Sequence, residues 1–396
     1  MSTTYHPPIP AGQEQTPPYA PYPGAGNPSG PGGPGGYGGG GDGPGRPASR
    51  MPRRLLVLGV AVAVGLATFF GLQAKGSTAL STSQIAGQVD PGLVDVVSTL
   101  GFQQASAAGT GQVLTSSGEV LTNNHVIEGA TSIRATDIGN GHTYTAKVVG
   151  YNRTHDIAVL QLQGASGLQT VTTGNSSTAS VGQKVVALGN AGGKGGTPSV
   201  VAGHVTGLNA AITANDSGNG TAEHLTGLLH TNAAIQPGDS GGPLVNTAGR
   251  VIGINTAASS KFQFQSTASQ TQAFAIPINQ ALSIAKQIEG GHASATVHIG
   301  ATGFLGVQVA PATGPAASST PGATIAGTVT GSPAARAGLT AGDTIVSVNG
   351  RQVTSPSDLQ AALEQHHPGN SVTIGWTDQA GQNHSTTMVL AKGPAA

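Results

Sequence analysis

Three side chains, His125, Asp156 and Ser240, have the types and the chain order that acyl-transfer chemistry requires. A serine hydroxyl is a poor nucleophile at neutral pH. It needs an imidazole to take its proton and a carboxylate to fix the imidazole tautomer and stabilise its cation. Ser240 lies in QPGDSGGPLVN, His125 follows the strand-like GEVLTNN, and Asp156 opens IAVLQL. Each has a plainer reading alone. His125 is one of 12 histidines, Asp156 sits where a residue could simply cap a strand, and a serine beside glycine suits a turn in a chain with 63 glycines. Asp137, in the loop ATDIGNGH, and His155 are competing candidates, and the strand-entry position favours Asp156. The order His, Asp, Ser within one β-rich region joins the three. The glycines around Ser240 have their own chemical reason. A tetrahedral intermediate needs two backbone N–H groups converging on its oxyanion, and Gly238 and Ser240 are the expected donors.

The elements that must position these residues read as short strands. GQVLTS, GEVLTNNHVI, YTAKVVGY, IAVLQL, QKVVALG, PSVVAGHVTGL and GRVIGINTA are rich in Val, Ile and Thr and are separated by turn residues, a mostly β pattern of barrel or sandwich type. Two segments read as helices, DPGLVDVVSTL and PINQALSIAKQI. In the second, Ile278, Ala281, Leu282, Ala285 and Ile288 recur at helical spacing and mark a domain boundary.

Whole-chain composition narrows the setting. Lys plus Arg and Asp plus Glu are balanced at 16 each, so no basic field exists to neutralise phosphates, and nucleic acid is excluded as a partner. With no cysteine, the chain has no disulfide, thiolate metal site or cysteine nucleophile, and no metal or cofactor is implied. Residues 1–54 are crowded with Pro and Gly and predict a disordered tail. Residues 55–72 form an uncharged apolar run. At about 1.5 Å per residue a helix of that length nearly spans the ~30 Å of a hydrocarbon core. Arg46, Arg50, Arg53 and Arg54 precede it and only Lys75 follows closely, which leaves the tail cytoplasmic and sends the remainder across the membrane. Ser77-Thr78-Ala79 would serve as a signal-peptide cleavage site, but the length of the run and of the preceding tail favours an uncleaved transmembrane anchor. The resulting organisation is tail 1–54, transmembrane helix 55–72, linker 73–84, a domain at 85–295 and a second at 296–394.

The motifs LTNNHVI, HDIAVLQL, VALGNAGG, TNAAIQPGDSGGPLVN, GRVIGINTA and FAIPINQA, in this order, resemble those of the HtrA (DegP-like) trypsin-fold serine proteases. The resemblance runs from about Gly87 to Ala391. It implies two six-stranded β-barrels with the site between them, a PDZ domain after them, the triad at His125, Asp156 and Ser240, and oxyanion donors at Gly238 and Ser240. Such proteins are often trimers, so a homotrimer is a possible assembly. Two departures stand out: Asn232 occupies a position where the family usually has aspartate, and ANDSGNGTAEH, at the place of a regulatory loop, has no evident anchoring residue. In the trypsin fold the residue six before the nucleophile lies at the base of the S1 pocket. Here it is Ala234, small and uncharged, which predicts cleavage after small or medium aliphatic residues.

The last segment reads as strands GFLGVQV, ATIAGTV, DTIVSVNG and SVTIGW, with helices starting at Ser332-Pro333 and Ser355-Pro356. Ser355 and Asp358 predict an approximate capping box. The resemblance is to a PDZ domain, with Phe304, Leu305, Gly306 and Val307 as the carboxylate-binding loop for a peptide that adds as a strand. Two functions follow. The first is a membrane-anchored extracytoplasmic serine endopeptidase that acts on unfolded or misfolded proteins and selects C-terminal peptides through its PDZ domain. The alternative is a non-catalytic PDZ-containing chaperone or scaffold.

Overall fold

The computed structural model describes residues 79–215, 222–256, 273–310 and 321–395. By contacts the chain divides into Met1–Ala74 and Lys75–Ala396, and every described residue belongs to the second unit. The Pro/Gly-rich tail and the apolar run 55–72 lie outside the described residues, as do 216–221 of the segment ANDSGNGTAEH. Among the described residues no helix is long and apolar enough to cross a membrane.

The first described element is helix α1 (Thr82–Val89), opened by a capping box in which Ser81 and Gln84 satisfy each other's backbone N–H groups. Six strands then form a closed antiparallel barrel: β1 (Leu93–Leu100), β2 (Ala105–Val113), β3 (Glu119–Thr122), β4 (Ser132–Asp137), β5 (Thr143–Asn152) and β6 (Ile157–Leu162). The order is β5-β4-β1-β2-β3-β6, and β6 closes on β5. The segment expected as a helix, DPGLVDVVSTL, is instead a 3-10 turn followed by β1. The physical reason is burial. Val94 and Val96 line the barrel interior while Leu93 packs outward between the barrels, and β1 is clamped between β2 and β4 by ladders along nearly its whole length. A face of buried β-branched residues, with Leu93 and Asp95 buried on the other face, favours a central strand over a helix.

The second closed barrel has the order β10-β11-β12-β9-β8-β7. Its strands are β7 (Lys184–Gly189), β8 (Ser199–Asn215), β9 (Ala222–Thr231), β10 (Pro243–Asn246), β11 (Val251–Thr256) and β12 (Ala273–Pro277). Val185, Ala187, Leu229, Leu244 and Ile252 fill it. Between the barrels a further core gathers Leu93, Leu121, Ile157 and Leu188 with the apolar face of helix α3 (Ile278–Glu289), which lies where the periodicity placed it. Helix α2 (Asn124–Ile127) is a single turn after β3.

β13 (His298–Ile299) pairs with β5 and carries the chain off the first barrel. Then come β14 (Gly303–Phe304), β15 (Val307–Val309), β16 (Ala323–Thr328), helix α4 (Pro333–Arg336), β17 (Thr344–Val348), β18 (Arg351–Gln352), helix α5 (Pro356–Leu363), β19 (Ser371–Thr377), β20 (Asn383–Val389) and β21 (Ala391–Lys392). The sheet path β15-β16-β17-β19-β20 leaves β15 at an edge. Leu305, Ile325, Ile345, Ile374, Trp376 and Met388 pack its own core. Ser332 and Ser355 cap α4 and α5 as expected. The Asp358 carboxylate is held most strongly by the hydroxyl and N–H of Thr354, one residue before the cap, and more weakly by Ser355, and these bonds hold its pKa below the usual value.

Glu119 on β3 shares a hydrogen bond with Glu289 at the end of α3. Burial first, and the neighbouring carboxyl second, push its pKa from 4.5 to about 7. The fold thus retains a proton that the unfolded chain has released, so between pH 4.5 and about 7 this group's contribution to stability falls as pH rises. On going from about pH 8 to about pH 5.5, the urea midpoint of the wild type should rise more than that of Glu119→Gln; equal rises would count against the pair.

Candidate active site

Asp156 is the best-anchored group of the predicted site. It ends the turn after β5 with φ +53, a left-handed conformation that is strained for a residue with a side chain, and its N–H donates to Arg153 O at 3.0 Å. Its carboxylate is 1% exposed. A buried carboxylate is costly unless donors surround it, and three do. The His125 backbone N–H reaches Oδ1 at 2.9 Å, the His125 ring Nδ1 reaches Oδ2 at 2.8 Å, and the Thr256 hydroxyl on β11 lies 3.4 Å from Oδ2. The Asp156 carbonyl accepts from Asn123 Nδ2 at 2.9 Å. Because a carboxylate only accepts, Nδ1 of His125 must carry the proton, and Nε2 of the neutral ring is left as the acceptor. His155, the competing histidine, instead bonds within its own turn to Asn152.

Ser240, 3% exposed, sits in the turn between β9 and β10. Gly109 of β2 brings this turn to the histidine. A Cβ there would meet Val126, the residue after His125, on one side and Ser240 O on the other. The glycines of GDSGG are likewise dictated by close approaches: a Cβ on Gly238 would strike Asn190 O, one on Gly241 the Thr110 carbonyl, and one on Gly242 Leu188 O. Gly238 and Gly241 also hold φ of +100 and +84.

Every backbone carbonyl of this turn from Pro237 to Gly241 has a donor. Pro237 O accepts from Gly192 N at 2.7 Å, Gly238 O from the Thr110 hydroxyl at 2.8 Å, and Asp239 O from Gly242 N at 3.0 Å. Ser240 O accepts from Thr110 N at 2.8 Å and Gly241 O from Gln112 Nε2 at 3.0 Å. In a trans peptide N–H and C=O point oppositely, so the Gly238 N–H faces away from the 191–193 turn that holds Pro237 O. Buried Asp239 accepts from Ser199 Oγ and Gln236 N, and burial still pushes its pKa up against these bonds.

Ala234 lies upstream in the loop after β9 and is exposed; neighbouring Asn232 accepts from His204 N at 2.7 Å. In the last domain, Gly306 has φ +83 and Phe304 stacks on Phe102 with centroids 5.1 Å apart. The Leu305 and Gly306 carbonyls turn inward to Ala334 N at 3.0 Å and Val329 N at 2.9 Å. The peptide N–H groups of Gly306 and Val307 therefore turn outward along the free side of β15. Sequence reasoning missed Thr256 and Thr110. Each meets its site partner from a distant part of the chain, across 100 and 128 residues respectively, and neither belongs to a pattern that periodicity or spacing can reveal.

Two closed barrels with His125, Asp156 and Ser240 where they meet, followed by a small sheet with an open edge, are the architecture of a trypsin-like peptidase joined to a PDZ domain. Residues 109–254 match the trypsin-like peptidase domain and residues 324–375 the PDZ domain. The chain is 35% identical over 331 residues to serine protease PepD of Mycobacterium tuberculosis, covering 79% of this chain and 66% of the relative. It is 34% identical to the serine protease Do-like HtrB of Bacillus subtilis, over 62% of this chain and 53% of that one. It is 36% identical to a probable periplasmic serine endoprotease, DegP-like, of Chlamydia trachomatis, over 69% and 52%. A solved structure of the HtrA-type protease AlgW with tripeptide aligns at 30% identity and a TM-score of 0.44, covering 80% of this chain and 98% of that one. The chain belongs to the HtrA (DegP-like) family of serine proteases, and spans between half and two thirds of the length of these three curated relatives.

Gly241→Ala adds a Cβ where φ is positive and backbone already stands, so it should lower stability by at least about 2 kcal/mol. Gly87→Ala, in α1 with nothing within 4 Å of the new methyl, should instead raise it by about 0.5–1 kcal/mol. Urea midpoints check both, and equal effects would contradict the packing described.

Proposed function

We propose that the protein is an extracytoplasmic serine endopeptidase in which Ser240 is the nucleophile, His125 the general base and Asp156 the group that orients and charge-stabilises the imidazole. The observation that carries this reading is the single carboxylate holding both the backbone and the ring of His125 at 2.9 and 2.8 Å. That arrangement presents Nε2 as an acceptor. Ser240 would add to the carbonyl carbon of a peptide bond as His125 takes the hydroxyl proton, and His125 would return the proton to the leaving amine. The N–H groups of Gly238 and Ser240 would hold the oxyanion, supported by the outward turn of the Pro237 carbonyl. A scaffold has no physical need of this constellation, which disfavours the non-catalytic alternative.

The protease domain at 85–295 and the PDZ domain at 296–394 would be carried by a membrane anchor at 55–72, consistent with the periplasmic description of the Chlamydia relative. Phe304 to Val307 would bind a peptide C-terminal carboxylate, since the outward N–H groups and the free β15 edge offer the donors that strand addition uses. Ala234 would leave the S1 pocket without a counter-ion, favouring Val, Ala, Ile or Leu at P1. Unfolded proteins with exposed C-termini are the substrates this pair of sites fits, and a homotrimer is the proposed assembly.

A fluorophosphonate probe should label the wild type and not Ser240→Ala, and Asp156→Asn should lower kcat by about 10⁴ through the wrong tautomer. Absence of wild-type labelling, even with an activating peptide, would favour the scaffold. A peptide library scanned at P1 should turn over best after small aliphatics; a preference for Arg or Lys would overturn the role of Ala234.

A further inference from the structure

We infer that Thr110 is a positioning residue whose hydroxyl, supplied by the first barrel, sets the mutual orientation of the two oxyanion donors in the second. The inference rests on the serine peptidase reading above.

Three successive peptide planes matter: 237–238, which carries the Gly238 N–H; 239–240, which carries the Ser240 N–H; and 238–239, which joins them. The 237–238 plane is held through Pro237 O by Gly192 N, and the 239–240 plane through Asp239 O by Gly242 N. The joining plane is held at one end by Asp239 N donating to Gln236 O at 3.0 Å and at the other by the Thr110 hydroxyl on Gly238 O at 2.8 Å. Gly238, at φ +100, has the least intrinsic backbone preference of any residue type, so its conformation must be imposed by bonds. Peptide planes move only through φ and ψ, and turning the joining plane turns both donors relative to each other.

The direction of the hydroxyl proton is itself determined. Asn190 N–H, which can only donate, points at Thr110 Oγ1 from 2.8 Å, so the hydroxyl's one proton goes to Gly238 O. The same oxygen therefore joins the 190–193 turn, which holds Pro237 O, to the plane between the donors. Thr110 is 1% exposed, and its own N–H and C=O are already committed to Ser240 O and Thr122 Oγ1. Valine keeps the β-branched shape and those backbone bonds and removes only the hydroxyl. In Thr110→Val the buried Gly238 carbonyl loses its donor, and the loop's cheapest response is to rotate the glycine-linked plane.

The test uses the purified full chain, a peptide boronic acid, which forms a tetrahedral anion on Ser240 Oγ, and the matching product peptide, which does not. Thr110→Val should weaken boronate binding about tenfold or more and lower kcat by a similar factor, with product affinity and KM within about twofold of wild type. Thr110→Ser should restore both to within about threefold. Should Thr110→Val fail to fold, Thr110→Cys, which keeps a weak S–H donor, should show the same split between boronate and product. The inference is overturned if boronate and product affinities fall together, if neither changes, or if serine does not restore them. A wild type that binds no boronate overturns the peptidase reading and this inference with it; a wild type that binds while the variants match it overturns the inference alone.

Discussion

The carboxylate of Asp156 is the contact on which the arrangement of the site depends, because it is bound from both barrels at once. His125 approaches from the first barrel with two donors and Thr256 from the second with one. Burying a carboxylate with fewer partners would cost several kcal/mol. The relative placement of β3, β6 and β11 is therefore constrained by an electrostatic need as well as by the apolar core around Leu121, Ile157 and Ile254. The positive φ of Asp156 belongs to the same balance. A strained backbone persists only where its surroundings over-determine it, and here a buried carboxylate, a carbonyl bound by Asn123 and an N–H bound by Arg153 do so.

The second half of the site is built by backbone rather than by charge. Each carbonyl from Pro237 to Gly241 has a donor, and three of those donors come from Thr110 and Gln112 on β2. A strand in a closed barrel is a stiff reference, which is what a turn made of glycine lacks on its own. The close approaches that exclude a Cβ at Gly109 and Gly241 follow from laying one barrel's turn directly onto the other barrel's strand, whereas those at Gly238 and Gly242 come from the end of β7 and the turn after it, within the second barrel.

This division explains how much could be read from sequence. His125, Asp156 and Ser240 could be singled out as candidates because acyl-transfer chemistry would fix their residue types and chain order, and α3, α4 and α5 were legible because periodicity and Ser-Pro caps are local signals. Most strands were legible from their Val, Ile and Thr content. β1 was not: LVDVVSTL follows a Pro-Gly that imitates a helix start, and only its burial between β2 and β4 decides the matter. The partners Thr110 and Thr256 were hidden for the same reason. Their contributions exist only once the barrels close, and a threonine in a β-rich chain carries no mark of which ladder position it will occupy. That Asp358 is held more strongly by Thr354 than by Ser355 lies within the fine geometry of a cap, which spacing alone cannot resolve.

The turn that carries Asp156 also faces the last domain. Arg153 accepts the Asp156 N–H on its carbonyl, while its guanidinium pairs with Glu128 of the first barrel and, at 2.9 Å, with Glu364 beyond α5. Those ion pairs are partly exposed, and such pairs are worth about 0–1 kcal/mol each, too little to fix a domain alone. The rest of the junction is of similar currency: the Phe102–Phe304 stack, the Glu364 carbonyl facing His298 Nδ1 at 2.7 Å, the Tyr151 and Thr302 hydroxyls at 3.2 Å, and two backbone bonds between Ala395 and the 129–130 turn that follows α2. Neutral bonds and ring stacks of this kind contribute about 0.5–1.5 kcal/mol each. The docked arrangement is thus a sum of several small terms with no dominant one. A ligand with a tenfold preference for the undocked form, about 1.4 kcal/mol, offsets any one of them, and only a preference of several such factors offsets the set. Phe304 both stacks on Phe102 and precedes the Leu305 and Gly306 carbonyls that shape the outward N–H groups, so the junction and the proposed peptide site share one short loop.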